Sequence, residues 1–174
     1  MNAIFTVGHS THSLAEFIDI LQRAGVRKIA DVRTMPRSRT NPQFNADVLP
    51  AGLATAGIGY EHIAALGGLR SRRRDVAEDT NGYWENASFH NYADYAMSDA
   101  FAAGFARLRQ LVAEAPTAVM CAEALWWRCH RRIIADYLLT AGEEVRHIMS
   151  DGSVVEARIT PAAQRKGSVL VYPQ

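Results

Sequence analysis

The sequence predicts a single α/β domain over residues 1–174: a three-layer sandwich around a mostly parallel sheet, with a C-terminal antiparallel hairpin. Short apolar runs alternate with segments of helical periodicity, as expected of parallel strands joined by right-handed helical crossovers. Asp151 and Gly152 form a strong hairpin turn, so the chain is expected to return antiparallel there. The length suits one full-sized core, and no repeat or linker divides the chain.

The predicted elements have local signals. Ser13 and Glu16 form a Ser-x-x-Glu capping box at the start of the first helix, which Gly25 is expected to end. Residues 64–90 lack a clear period, which is typical of a lid, a binding loop or disorder. Strands are predicted at 4–7, 28–32, 59–63, 117–121, 144–149 and 153–157. Helices are predicted at about 14–24, 47–57, 91–97, 98–114 and 129–140.

Charge is unevenly distributed along the chain, although the net charge is only +1. Residues 27–74 contain nine Lys or Arg and three Asp or Glu, a local charge of +6 that leaves −5 for the rest. Arg makes up 17 of the 19 basic residues, and it binds phosphate in a bidentate manner better than Lys does. A GC-rich genome would also favour Arg, but it does not explain the clustering. The asymmetry favours a phosphate-bearing small molecule or a nucleic acid as partner.

The sequence contains no sign of membrane insertion or export. No apolar run approaches the roughly 20 residues that span a bilayer, and the N-terminus lacks the pattern of a signal peptide. Two cysteines, Cys121 and Cys129, cannot build a disulfide framework. We therefore expect a cytoplasmic protein with no membrane partner and no cofactor, and the oligomeric state stays open.

A polar motif follows each of the first four predicted strands. The C-terminal ends of parallel strands share one edge of the sheet, and ligands of open α/β sheets bind at that edge. Four separated motifs are therefore expected to form one site. The motifs are Gly8-His9-Ser10, Asp31-Val32-Arg33, Leu66-Gly67-Gly68 and Cys121-Ala122-Glu123.

Candidate roles follow from side-chain chemistry. His9 and Glu123 are candidate acid and base, and a thiol is a candidate nucleophile. Asp31 is spaced to hold Arg33 as a bidentate pair, and helix starts offer free amides to an anion. The candidate catalytic residues are His9, Cys121, Glu123 and His130. The candidate anion-binding residues are Ser10, Asp31, Arg33, Arg37, Ser38, Arg39, Gly67, Gly68, Cys129 and Arg131.

Each of these features also has a purely structural interpretation. His9 can satisfy local backbone groups, Asp31 and Arg33 can form a structural ion pair, and buried cysteines can be inert. The arginine run at 70–74, followed by aromatic residues, suits either nucleic acid or a solvated loop. The chain has neither a Cys-x5-Arg phosphatase loop nor a zinc-ligand spacing, so no metal is expected.

Seven short motifs lie in order between residues 8 and 131: Gly8-His9-Ser10, Asp31-Val32-Arg33, Pro36-Arg37-Ser38-Arg39, Asn41-Pro42-Gln43-Phe44, Leu66-Gly67-Gly68, Cys121-Ala122-Glu123 and Cys129-His130-Arg131. As a set they resemble the motifs of the bacterial and archaeal family called domain of unknown function 488. The resemblance extends over about residues 4–149. It implies an α/β fold with a clustered site, and it implies no established reaction.

Three functions are open at this point. The first is an enzyme or binding protein for a phosphate-bearing substrate, a nucleotide or nucleic acid, held by Arg33, Arg37, Arg39 and Arg131. The second is a non-catalytic nucleic-acid-binding or regulatory module that depends on the basic segment 27–74. The third is a thiol redox protein that uses the two cysteines.

Overall fold

A computed structural model of the chain describes residues 2–174. Its main sheet consists of β1 (Ile4–Gly8), β2 (Lys28–Asp31), β3 (Gly59–His62), β4 (Thr117–Cys121), β5 (Val145–Ile148) and β6 (Val154–Glu156). The order across the sheet is β3-β2-β4-β1-β5-β6. The first five strands are parallel, and β6 pairs antiparallel with β5. The predicted α/β fold, including its antiparallel return strand, is confirmed.

Five helices pack around this sheet: α1 (Leu14–Ala24), α2 (Leu49–Ala54), α3 (Ala87–Tyr95), α4 (Asp99–Glu114) and α5 (Arg131–Thr140). The predicted capping box at Ser13 is present, and Gly25 ends α1 in the left-handed conformation with φ 81°. Glycine adopts this conformation without the steric cost that other residues meet. No helix within residues 2–174 has both the length and the apolar character that crossing a bilayer requires.

Two hydrophobic clusters lie on opposite faces of the sheet, because successive strand side chains point to opposite sides. Along β1, Ile4 belongs to the cluster that α3, α4 and α5 cover, together with Ile134 of α5. Its neighbour Phe5 belongs to the cluster that α1 and α2 cover, together with Phe17 of α1. Helices on both faces of a central sheet make the predicted three layers.

Some predicted helix boundaries were wrong. The third helix begins at Ala87 instead of residue 91, because the side chain of Asn86 accepts hydrogen bonds from backbone amides of the first turn. The last helix begins at Arg131 instead of Cys129, because Trp126–Arg128 form a separate 3-10 turn and Cys129 has extended backbone. The second helix is two to three residues shorter at each end than predicted.

The irregular segment between β3 and α3 is hydrogen-bonded to the rest of the domain. The amide of Leu69 donates to Thr34 Oγ1 over 2.8 Å, close to the end of β2. Farther along, Asn81 Nδ2 donates to Asp94 Oδ1 over 2.7 Å. These bonds hold the segment over the C-terminal edge of the sheet. Its opening for a ligand stays a prediction.

A second hairpin at the C-terminus was not predicted. It comprises β7 (Gln164–Lys166) and β8 (Val169–Val171), which lie outside the main sheet. Directly after β8, the buried Tyr172 donates its hydroxyl proton to Asp136 Oδ2 over 2.9 Å, and its amide donates to Asn81 Oδ1 over 2.9 Å. Its ring centroid lies 5.2 Å from that of Trp84. The end of the chain thereby joins α5 to the irregular segment.

We predict that Tyr172→Phe lowers the free energy of unfolding by about 1–3 kcal/mol, because it leaves Oδ2 of the buried Asp136 carboxylate without its hydrogen-bond donor, while Oδ1 keeps the Thr160 amide. Tyr83→Phe is the matched control: this tyrosine is partly exposed, and its hydroxyl makes no hydrogen bond within residues 2–174. The control is expected to change stability by less than about 0.5 kcal/mol. Urea unfolding of both variants measures the difference, and equal effects would contradict the role given to Tyr172.

Candidate functional site

The site lies where the connections diverge, at the C-terminal ends of β1 and β4. These strands are neighbours, but the helix after β1 covers one face of the sheet and the helix after β4 covers the other. A crevice opens between such strand ends in open α/β sheets. Past the strands, the amides of His9 and Ser10 still donate to the carbonyls of Cys121 and Ala122, over 2.9 and 3.0 Å.

The first motif, Gly8-His9-Ser10, is shaped by a close backbone approach. A Cβ atom on Gly8 would collide with the carbonyl oxygen of Glu123, so only glycine fits beneath the chain that leaves β4. Ser10 has φ 50° and is the only non-glycine residue with positive φ among residues 2–174. Such strained conformations cluster at functional sites. The Ser10 amide is already bonded to the chain after β4, so it does not offer its proton to an anion as expected.

Asp31 holds Arg33 as a bidentate pair. Arg33 Nε lies 2.9 Å from Asp31 Oδ1, and Nη2 lies 2.7 Å from Oδ2. The same Nη2 also donates to the carbonyl of Phe44 over 2.7 Å. Of the three guanidinium nitrogens, only Nη1 does not bond to the carboxylate of Asp31. Burial by itself would lower the pKa of Arg33, but the hydrogen bonds and charge of Asp31 outweigh burial and raise it. The guanidinium is thus a charged group in one fixed orientation.

His9 packs beside this guanidinium as a neutral ring. It is buried and stacks on Phe44 with a centroid separation of 4.3 Å. Its Nδ1 lies 2.8 Å from the carbonyl of Ser10, so this nitrogen carries the proton and Nε2 is the acceptor, 3.4 Å from Arg33 Nη1. Burial, reinforced by the charge of Arg33, lowers the pKa of His9 to about 4. At neutral pH the ring can accept a proton but has none to spare as an acid.

Two adjoining cavities open at this edge, and Arg33 and Glu123 line both. The arginine cavity, of about 490 Å³, is also lined by His9, Ser10, Arg37, Ser38 and Asn41. The thiol cavity, of about 410 Å³, is also lined by Gly68, Phe89, Cys121, Cys129 and His130. Glu123 is exposed on the shared wall, where its Oε1 accepts a hydrogen bond from the Leu125 amide over 3.1 Å. The structure thus brings the motifs after β1, β2 and β4 together.

The two cysteines are free thiols in contact with each other. Their Sγ atoms are 2.7 Å apart, and the side chains are only 3% and 7% exposed. His130 Nε2 lies 2.7 Å from the carbonyl of Val32, so it carries the ring proton and leaves Nδ1, 3.3 Å from Cys129 Sγ, as an acceptor. Burial and the neighbouring Cys129 raise the pKa of the Cys121 thiol. For Cys129 burial acts in the same direction, but the hydrogen bond between the two sulfurs and the charge of Arg131 outweigh it and lower the pKa to about 7.

Arg131 lies beneath the thiol cavity and not in it. The side chain is fully buried, whereas we expected it to contact an anion from solvent. Its Nε donates to Cys121 Sγ over 3.0 Å, Nη1 to Thr6 Oγ1 over 3.0 Å, and Nη2 to the carbonyl of Glu123 over 2.6 Å. All three nitrogens therefore have internal partners. Arg131 can act on the site through its charge but cannot be a direct ligand contact.

The predicted glycines Gly67 and Gly68 serve packing. A Cβ on the first would meet Thr34, and a Cβ on the second would collide with His130. They allow the chain after β3 to lie directly on the site, and their contact with an anion stays a prediction.

The loop after β2 places its two arginines in solvent. Arg37 and Arg39 are both exposed, and Arg37 lines the arginine cavity. Between them, Ser38 Oγ accepts a hydrogen bond from the Asn41 amide over 3.0 Å, which closes the loop. The positive charges at this edge therefore stand on an ordered turn.

Two arginines of the run at 70–74, Arg70 and Arg73, contact the rest of the protein, whereas Arg72 and Arg74 are exposed. Arg70 lies 3.8 Å above the ring of Tyr95, and Arg73 pairs with Asp75. Arg72 lies 3.9 Å from a carboxylate oxygen of Glu78. These contacts weaken the interpretation of this run as a surface for nucleic acid.

Three residues of the site were missed. Thr6 bridges Arg131 and His147, Phe44 holds both His9 and Arg33, and Tyr60 donates a hydrogen bond to Asp31. Thr6 is a polar residue inside an otherwise apolar, fully buried strand, and that pattern was the available signal. In the part of the chain that the structure describes, no three His, Cys, Asp or Glu side chains converge as metal ligands do.

We predict that acid destabilises the protein through its buried histidines. Burial, with a smaller effect of a nearby arginine, lowers the pKa of His9 and of His147 to about 4 from 6.5. Between pH 4 and 6.5 the unfolded chain binds more protons than the folded protein does. The contribution of these two histidines to the free energy of unfolding is therefore fully present above about pH 6.5 and is lost as the pH falls towards 4. Each histidine contributes a slope of at most about 1.4 kcal/mol per pH unit. Urea unfolding from pH 7.5 to 4.5 should show a shallower slope for His9→Gln, and an unchanged slope would refute this.

Comparison with known families adds an independent line of evidence. Residues 13–138, more than two thirds of the chain, match the family model described as Domain of unknown function DUF488. The match includes Arg33, Glu123 and both cysteines. No match was found among the curated proteins or among the solved structures. The resemblance carried by the motifs is confirmed: the chain belongs to the domain of unknown function DUF488 family.

Proposed function

We propose that this protein binds, and acts on, a small phosphate-bearing molecule at the C-terminal edge of its sheet, with the anion beside Arg33 in the arginine cavity. The observation that carries the proposal is the fixed orientation of the Arg33 guanidinium at the wall shared by the two cavities. Because Asp31 and Phe44 already order this side chain, a ligand would lose little affinity to freezing it.

Charge for the anion comes from the exposed arginines. Asp31 neutralises Arg33, so the pair contributes direction more than net charge. Arg37 at the arginine cavity and Arg128 at the thiol cavity are exposed cations that line the same crevice. Guanidinium groups form charge-assisted, bidentate hydrogen bonds with phosphate. The crevice thereby combines one oriented donor with adjacent positive charges.

Cavity size favours a small molecule over a nucleic acid. The two volumes, about 490 and 410 Å³, lie within the range of roughly 300–1,000 Å³ that is usual for small-molecule sites. Within the arginine run at 70–74, Arg70 and Arg73 have close partners in the protein, which leaves Arg72 and Arg74 for a nucleic acid. The alternative of a non-catalytic nucleic-acid-binding module therefore has less support.

Groups for proton transfer stand on the same walls. The ring of His9 is neutral at pH 7 because burial lowers its pKa to about 4, and the exposed side chain of Glu123 offers carboxyl oxygens beside it. Glu123 lies on the shared wall, within reach of a ligand in either cavity. In this proposal Glu123 is the general base, and His9 chiefly orients Arg33.

We predict that Arg37→Ala weakens the binding of a mononucleotide by about tenfold, because one charge-assisted contact to phosphate is lost. Arg27→Ala is the matched control, since this exposed arginine directly precedes β2 at the opposite edge of the sheet. Arg33→Lys should weaken binding at least as much, because lysine cannot reproduce the bidentate pair with Asp31. Titration calorimetry at low salt, with inorganic phosphate and with a mononucleotide, measures these affinities.

The same titrations include short single-stranded and double-stranded nucleic acids. Absence of binding to phosphate and to the mononucleotide would overturn the proposal. If only the strands bind, and a combined Arg72→Ala and Arg73→Ala variant flattens the salt dependence of that binding, the nucleic-acid module is correct instead.

A further inference from the structure

The proposed phosphate site makes no use of the two thiols. Cys121, at the end of β4, and Cys129, just before α5, bring their Sγ atoms to 2.7 Å. A disulfide bond is about 2.0 Å long, so a displacement of less than about 1 Å would join them. Both line the thiol cavity, which opens to solvent on the side away from Arg131.

Arg131 supplies a reason for negative charge at this pair. Its guanidinium is fully buried, and no carboxylate in residues 2–174 forms an ion pair with it. An arginine remains protonated in proteins, and a buried charge without a counter-ion is strongly destabilising. Its Nε instead points at Cys121 Sγ over 3.0 Å, and its backbone amide lies 3.5 Å from Cys129 Sγ. A thiolate shared by the two sulfurs provides the missing counter-charge.

The surroundings distinguish the two sulfurs. Cys129 is the more exposed, and it has a proton acceptor, His130 Nδ1, at 3.3 Å. Cys121 lies deeper, between Arg131 and the sulfur of Cys129. Cys129 is accordingly placed to attack, and Cys121 to resolve.

We propose that Cys121 and Cys129 form a redox-active thiol pair that undergoes thiol–disulfide exchange with small anionic disulfides. Because only the reduced pair gives Arg131 a counter-charge, an excess of the substrate disulfide drives the oxidation of the pair. The Cys129 thiolate attacks one sulfur of the substrate R–S–S–R, forms a mixed disulfide and expels R–S⁻, which takes up from solvent the proton that the thiol pair released on ionising. Cys121 then attacks Cys129 Sγ, and the second R–S⁻ leaves with the proton that Cys121 gives up. Two electrons pass from the dithiol to the substrate, which yields two R–SH and a Cys121–Cys129 disulfide.

The thiol cavity suits this class of substrate. Apolar side chains of Met35, Leu69 and Phe89 line it, and they would accept the thioether-like middle of a small disulfide. The cations Arg128 and Arg33 line the same cavity and would receive carboxylates at its ends. The inference shares Arg33 with the proposed phosphate function, but the exchange reaction itself depends on the two thiols, which that function does not use.

The test is a reaction of the reduced, folded protein with a large excess of oxidised glutathione, a small anionic disulfide, at neutral pH. The reaction is quenched with acid, and the mass of the intact protein is measured by mass spectrometry. Wild type should lose both thiols, gain no adduct and become lighter by two hydrogens. Cys121→Ser should hold one glutathione at Cys129, because its resolving sulfur is absent. Cys129→Ser should hold none.

Three results would overturn the inference. One is a wild type that keeps both thiols when folded, although both react after unfolding in urea. Another is an adduct on Cys129→Ser and none on Cys121→Ser, which reverses the roles. The third is a stable adduct on wild type without an internal disulfide. Circular dichroism checks that each variant folds. If Cys121→Ser does not fold, Cys121→Ala replaces it. Phosphate titrations of the reduced protein test the proposed phosphate site separately.

Discussion

The arrangement of this site depends on the hydrogen bonds that the buried guanidinium of Arg131 donates. This side chain joins Thr6 of β1, Cys121 of β4 and the carbonyl of Glu123 while standing at the first position of α5. Two neighbouring strands and the helix that follows one of them are thereby held at a single charged group. Hydrogen bonds from a charged donor are stronger than those between neutral groups, so this point resists rearrangement.

A second arginine fixes the other half of the crevice by different means. Arg33 has a carboxylate partner in Asp31, whereas the partners of Arg131 are a hydroxyl, a carbonyl and a sulfur. The first pair is electrically balanced without the thiols. The charge of Arg131 is balanced only when one of the two cysteine sulfurs is ionised. This difference separates a cavity suited to holding an anion from one suited to generating a nucleophile, although both lie on the same edge of the sheet.

The fold was accessible from the sequence because strand and helix periods alternate without interruption, and the pairing of Asp31 with Arg33 followed from their spacing. The burial of Arg131 was not foreseen, even though it precedes Ile134 by three residues and Leu138 by seven, which places it on the apolar face of α5. Charge was given more weight than periodicity there. The contact between the cysteines depends on how the chain crosses from β4 to α5, and no local pattern encodes that path.

The contacts of Tyr172 extend the folding unit of this protein beyond the region that matches the family model. The matched region ends at residue 138, yet Tyr172 completes the surroundings of Asn81, Trp84 and Asp136, which all lie inside it. The central strand β1 precedes the matched region altogether. A recombinant fragment cut at the family borders would lack its middle strand and expose a buried carboxylate and an indole. For this protein the ends of the matched region, residues 13 and 138, are therefore unsuitable ends for a recombinant fragment.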